Sequence, residues 1–120
     1  MSIYSLLAGV FLVFAATTTP AIAPQMVSPP SVRELIVKWA DYYKVDVATS
    51  LRIARCESAF SPTANGDGGL AYGVYQFHRS TFDHFSQELG QEMSYHNTED
   101  NIQLANFAFS KGYYSHWTCQ

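Results

Sequence analysis

Residues 46–69, DVATSLRIARCESAFSPTANGDGG, decide how the chain folds. The first half begins at an N-cap residue, Asp46, and sets Val47, Ala48, Leu51 and Ala54 on one stripe. That spacing predicts a helix running to about Glu57 or Ser58. The second half, residues 61–69, holds Pro62, Asn65 and three glycines, and reads as a loop with room for a small hairpin. Chemistry is expected where the two halves meet. Glu57 follows Ile53 and Ala54 at the edge of the apolar stripe, Phe60 comes next, and Tyr72, Tyr75 and Phe77 return beyond the loop. A carboxyl group against apolar and aromatic walls loses hydration, so its charged form is disfavoured and its pKa rises. A carboxylic acid raised in this way works as a general acid near neutrality.

Upstream, Ser31 and Glu34 form a capping box for a helix whose buried stripe is Val32, Leu35, Ile36, Trp39 and Tyr43. Downstream, Ser80 with Asp83 reads as a cap pair, and Phe82, Phe85 and Leu89 give a short helix ending at Gly90. Thr98 is the expected cap of the last long helix, with Glu99 and Asp100 at its positive end. Ile102, Ala105 and Phe109, widened by Leu104 and Ala108, make that helix apolar around much of its circumference, as a central core helix is. The fold class expected is therefore mostly α, with four or five helices around one loop.

A chain of 120 residues has room for one domain. With 48% hydrophobic and 14% charged residues it is not a disordered segment. Seven basic against ten acidic residues, the basic ones scattered singly, exclude a nucleic-acid footprint. Aromatics at 15% suit a packed core plus an aromatic-walled groove. Residues 1–23 are uncharged, and the apolar run Ile3 to Ala16 is shorter than the ~20 residues that span a bilayer. Ala21-Ile22-Ala23 then gives a small-x-small cleavage pattern, so residues 1–23 read as a signal peptide, or as a membrane anchor if uncut. Residues 24–30, with Pro24, Pro29 and Pro30, are a stiff lead-in, and residues 31–120 form the domain. The protein is expected to be secreted, in the periplasm or cell envelope. In an exported chain an even cysteine count favours one bridge, Cys56 to Cys119, over two separate buried thiols. A disulfide-bridged domain of this size needs no partner to fold, so a monomer is expected.

Glu57-Ser58-Ala59-Phe60-Ser61-Pro62 and Ala71-Tyr72-Gly73-Val74-Tyr75-Gln76-Phe77 resemble the signature of soluble lytic transglycosylases, peptidoglycan-cleaving enzymes of the lysozyme-like superfamily. Asn101-Ile102-Gln103-Leu104-Ala105 is similar to the family's later Asn-containing helix, and residues 112–119 look closer to small secreted domains related to resuscitation-promoting factors. The resemblance implies a lysozyme-like helical domain with a Gly-rich loop or small hairpin beside the active-site groove. It implies that Glu57 is the single catalytic acid and base and that Ser58 orders the turn bearing it. Gln76 and Tyr75 would line the sugar groove, with Gly73 allowing close backbone approach. Tyr75 stands where the family often has Met. Tyr113 or Tyr114 would supply a late tyrosine, although the Ala-Tyr-Asn pattern around it is missing. Tyr72 and Phe77 complete the expected substrate-binding set.

The implied reaction needs no cofactor. Glu57 protonates the glycosidic oxygen between N-acetylmuramic acid and N-acetylglucosamine, then deprotonates the muramic C6 hydroxyl, which closes onto C1 to give a 1,6-anhydro sugar. The partner is the peptidoglycan strand, with membrane contact only if residues 1–23 are retained. Two other readings stand beside it. A hydrolytic lysozyme needs a second carboxylate, for which Asp67 is the candidate, although Asn-Gly-Asp-Gly is also ordinary turn chemistry. A glycan-binding module would use Trp39, Tyr72, Tyr75, Phe77 and Trp117 without cleavage. His78, His84, His96 and His116 lack metal-ligand spacing, so no metal site is expected.

Overall fold

The computed structural model describes residues 9–119; the start of the expected signal peptide, residues 1–8, lies outside them. Residues 9–30 carry no regular structure, and Val10, Phe11, Leu12, Val13 and Phe14 are exposed. No helix among the described residues is long and apolar enough to cross a membrane.

The folded part begins with α1, Val32–Tyr42, and its capping box is formed: Ser31 Oγ accepts from the Glu34 amide, and the Glu34 carboxylate accepts from the Ser31 amide. Leu35, Ile36 and Ala40 are its buried face. Helix α2, Val47–Ser58, is capped by Asp46, whose carboxylate accepts from the amide and hydroxyl of Thr49. Its buried face is Ser50, Ile53 and Ala54, rotated from the expected stripe; Ala48 is exposed, and Val47 and Leu51 are half-buried. A buried polar network holds the rotation. Ser50 Oγ donates to Asn106 Oδ1 at 2.7 Å and sits 2.6 Å from the Tyr75 hydroxyl. Such a network is stable only because each member is satisfied, the Asn106 amide donating onward to the Ile102 carbonyl. Helix α2 ends abruptly, with both Ala59 (φ 51°) and Phe60 (φ 64°) in the left-handed region.

The glycine-rich segment opens a three-stranded antiparallel sheet in strand order: β1 Asn65–Gly66, β2 Ala71–Tyr72 and β3 Phe77–His78. Ala71 pairs with Gly66 on one side and His78 on the other. β3 runs straight into α3, Arg79–Leu89, so strand pairing sets the helix start and Ser80 falls inside the first turn. The expected Ser80–Asp83 cap is therefore not formed, and Asp83 instead faces Arg79 at 3.4 Å. Gly90 ends α3 in the left-handed region, as expected. Helix α4, Thr98–Ser110, is capped by Asn97 rather than Thr98, through Oδ1 accepting from the Asp100 amide. Asn is the stronger cap of the two. Every residue from Asn101 to Phe109 is buried, and α4 packs against α1 and α3 as the central core helix.

Two ties fix the loop and the tail to this core. Asn101 Oδ1 accepts from the Tyr75 amide at 2.9 Å, while its Nδ2 donates to the Tyr72 carbonyl at 3.1 Å. The approach requires Gly73, which has φ 85° and where a Cβ would collide with Asn101 Nδ2. Gly73→Ala is expected to cost about 3 kcal/mol, combining left-handed backbone strain with disrupted buried hydrogen bonds, and urea unfolding measures it. At the other end, Trp117 Nε1 donates to the Tyr75 carbonyl at 2.8 Å, and the Cys56–Cys119 disulfide closes the chain.

Candidate active site

Glu57 opens onto a cleft of about 310 Å³ shared with Gly66, Asp67, Gln76, His78, His116, Trp117 and Thr118. Three separate pieces of chain build it: the end of α2, the sheet, and the tail that the disulfide returns to α2. Glu57 is half-buried, and burial pushes its carboxyl above the ordinary range. The Cys119 amide donating to it pulls the other way, and the charge of Asp67 adds a further upward push. The pKa rise expected from the apolar surroundings is present, although much of the wall is polar.

Gln76 is fixed before any ligand arrives. Its Nε2 donates to the carbonyls of Ala64 at 3.0 Å and Gly73 at 2.8 Å, and its backbone is left-handed at φ 52°. Gly66 gives it room, because a Cβ there would meet Gln76 Oε1. Asp67, also left-handed at φ 52°, sits 2.8 Å from His78 Nε2. The register explains the pair: Asp67 follows the residue paired with Ala71, and His78 is the residue paired with Ala71 on its other side.

Of the expected residues, the cleft brings together Glu57, Asp67 and Gln76. Ser58 lies beside Glu57 and its Oγ donates to the Ala54 carbonyl at 3.3 Å, back onto the last helical turn. The others lie elsewhere. Tyr75 is fully buried, its hydroxyl bonded to the Ser50 carbonyl at 3.0 Å, so it is a core residue and not a groove wall. Phe77 is 2% exposed and packs edge-on against Trp117 and Phe82, supporting the cleft from beneath. Tyr72 packs against Tyr95 and His96, outside the cleft lining. Gly73 admits the Asn101 side chain rather than a ligand. Tyr113 stacks on Phe85 and donates to Glu88 at 3.0 Å, so it lies against α3 and outside the cleft lining.

His78, His116 and Thr118 line the cleft without having been singled out for it by sequence, and Trp117 enters as the wall its aromatic character suggested. One signal was present: a bridge to Cys56 brings residues 116–118 beside Glu57, the next residue along α2. Chemically the cleft offers one raised carboxyl suited to proton transfer and one carboxylate held against an imidazole.

A family model described as Transglycosylase SLT domain matches residues 34–116. No curated protein matches the chain. Among solved structures, the inactive mutant of the lytic transglycosylase Slt from Pseudomonas aeruginosa is similar in fold, with TM-score 0.60 and 24% identity. That likeness covers 70% of this chain and 14% of the solved one.

Proposed function

The chain belongs to the transglycosylase SLT domain family, and from that premise we propose that it is a peptidoglycan lytic transglycosylase with Glu57 as its single acid and base. The observation that carries the reading is the position of Glu57: a carboxyl raised by burial, on the family's motif, in a cleft that the preset Gln76 also lines. Protonated Glu57 donates to the glycosidic oxygen of the muramic acid–glucosamine bond as that bond breaks. The resulting carboxylate accepts the proton of the muramic C6 hydroxyl as its oxygen bonds to C1. The proton count closes on one side chain, so the reaction needs no second group and yields a 1,6-anhydro end. In this reading residues 1–23 direct export, residues 24–30 are a lead-in, and residues 31–120 act as a monomer in the cell envelope. Mass analysis of digested peptidoglycan tests it. Anhydro muropeptides are expected, and reducing-end products alone would overturn the assignment.

Asp67 favours one second reading, hydrolysis, because its carboxylate shares the cleft with Glu57. Asp67→Asn separates the two. For a transglycosylase, cleavage stays within about tenfold. Loss of the Asp67 charge then lets Glu57 ionise more easily, so the alkaline limb of the pH–rate profile moves to lower pH. For a hydrolase, the reducing-end products disappear.

A further inference from the structure

A second groove, of about 260 Å³, lies between α1 and α2 and is lined by Arg33, Ala48, Leu51, Arg52, Arg55 and Phe60. It shares no lining residue with the cleft. Helix α2 turns by about 200° between Arg55 and Glu57, so the two sites occupy opposite faces of the helix.

The groove gathers three of the seven basic residues of a chain whose net charge is −3. Among the described residues the ion pairs are made by Lys38, His78, Arg79 and His84, and none by these three arginines. Arg52 acts through space on Asp46, whose carboxylate is itself taken up by the amide and hydroxyl of Thr49. Arg33 is oriented by Phe60, with its guanidinium carbon 4.4 Å from the ring centroid. Planar guanidinium forks from two helices match oxyanions, and their mutual repulsion is relieved when one binds. Between the charges, Ala48, Leu51 and Phe60 present apolar surface, which suits methyl groups and not the hydroxyls of a sugar or polyol phosphate.

We propose that this groove binds a short peptide carrying carboxylates and small apolar side chains, the peptide arm of the wall polymer whose glycan occupies the cleft. Only the source of the peptide rests on the proposed function; the chemistry of the groove does not. Calorimetric titration with the free tetrapeptide L-Ala-D-Glu-meso-diaminopimelate-D-Ala, sugar absent, tests the proposal. Wild-type protein and Glu57→Gln are expected to bind alike, and the double variant Arg52→Ala with Arg55→Ala at least tenfold more weakly. Amidating the peptide carboxylates is expected to remove binding. The double variant should keep its thermal midpoint and cleave peptide-free glycan at the wild-type rate, since both side chains are exposed and away from the cleft. The proposal fails if the double variant or the amidated peptide binds as tightly, if no binding is found, or if a polyol-phosphate polymer binds in place of the peptide. Peptide binding by a protein that cleaves no glycan would uphold the groove and overturn the transglycosylase reading, so the two failures are distinguishable.

Discussion

Glu57→Gln is expected to lower glycan cleavage by on the order of 10³-fold or more while leaving the fold intact, because one group carries both proton transfers. The amide keeps the size and the hydrogen-bonding reach of the acid and removes only its proton chemistry. Binding of glycan to the cleft should change little, which separates an enzyme from a binding module. The stability of the variant carries independent information. Burial raises the folded-state pKa of Glu57 above its unfolded value. The folded state then holds the proton more tightly, and the stability this contributes is present at low pH and lost as pH rises through the raised pKa. Above that raised pKa wild-type protein therefore carries a half-buried charge that the glutamine lacks. Thermal unfolding followed against pH should show Glu57→Gln at or above the wild-type midpoint on the alkaline side of that pKa, the gap closing on acidification. A variant that cleaves normally would remove Glu57 from the mechanism. One that is less stable at every pH would show that its carboxylate is structural.

The parts of this molecule legible in its sequence are those fixed within a few residues. The Ser31–Glu34 box, the Asp46 cap and the Gly90 stop each depend on partners one turn away, and each is formed. The apolar girdle of α4 is equally local, and it marks the centre of the core. The face of α2 was not legible, because Ser50 is buried by partners 25 and 56 positions away. Hydrophobic periodicity assigns a serine to the surface and has no means of seeing Tyr75 and Asn106. The site shows the same division. Glu57 and Gln76 stand out by motif, but adjacency to Gln76 misleads about Tyr75. A turn there, closed by the Gln76 amide donating to the Gly73 carbonyl at 3.2 Å, sends Tyr75 inward while Gln76 faces the cleft. His78 reaches Asp67 only through the register of a sheet with two-residue strands, too short to announce itself by alternation.

The double variant Cys56→Ser with Cys119→Ser is expected to lose both stability and activity, for two separable reasons. The bridge spans 63 positions, and closing a loop of that length restricts the unfolded chain by about 4 kcal/mol in the chain-entropy model. For a domain of this size that corresponds to a fall in thermal midpoint on the order of 20 °C. The loss of activity is local. His116, Trp117 and Thr118 wall the cleft, and the Cys119 amide donates to Glu57, so the bridge holds one side of the site against α2. Trp117 is anchored separately, through its Nε1 bond to the Tyr75 carbonyl and its packing on Phe77 and Phe109. Cutting the bridge should therefore free residues 118–119 while Trp117 stays seated. Releasing the Cys119 donor removes an interaction that favours the carboxylate; with Trp117 still seated and the burial of Glu57 kept, its pKa rises further and the alkaline limb of activity moves to higher pH. That shift is opposite in sign to the one expected for Asp67→Asn, and a merely destabilised protein would show neither. Measuring the pH–rate profile well below the lowered midpoint distinguishes a lost wall from a lost fold.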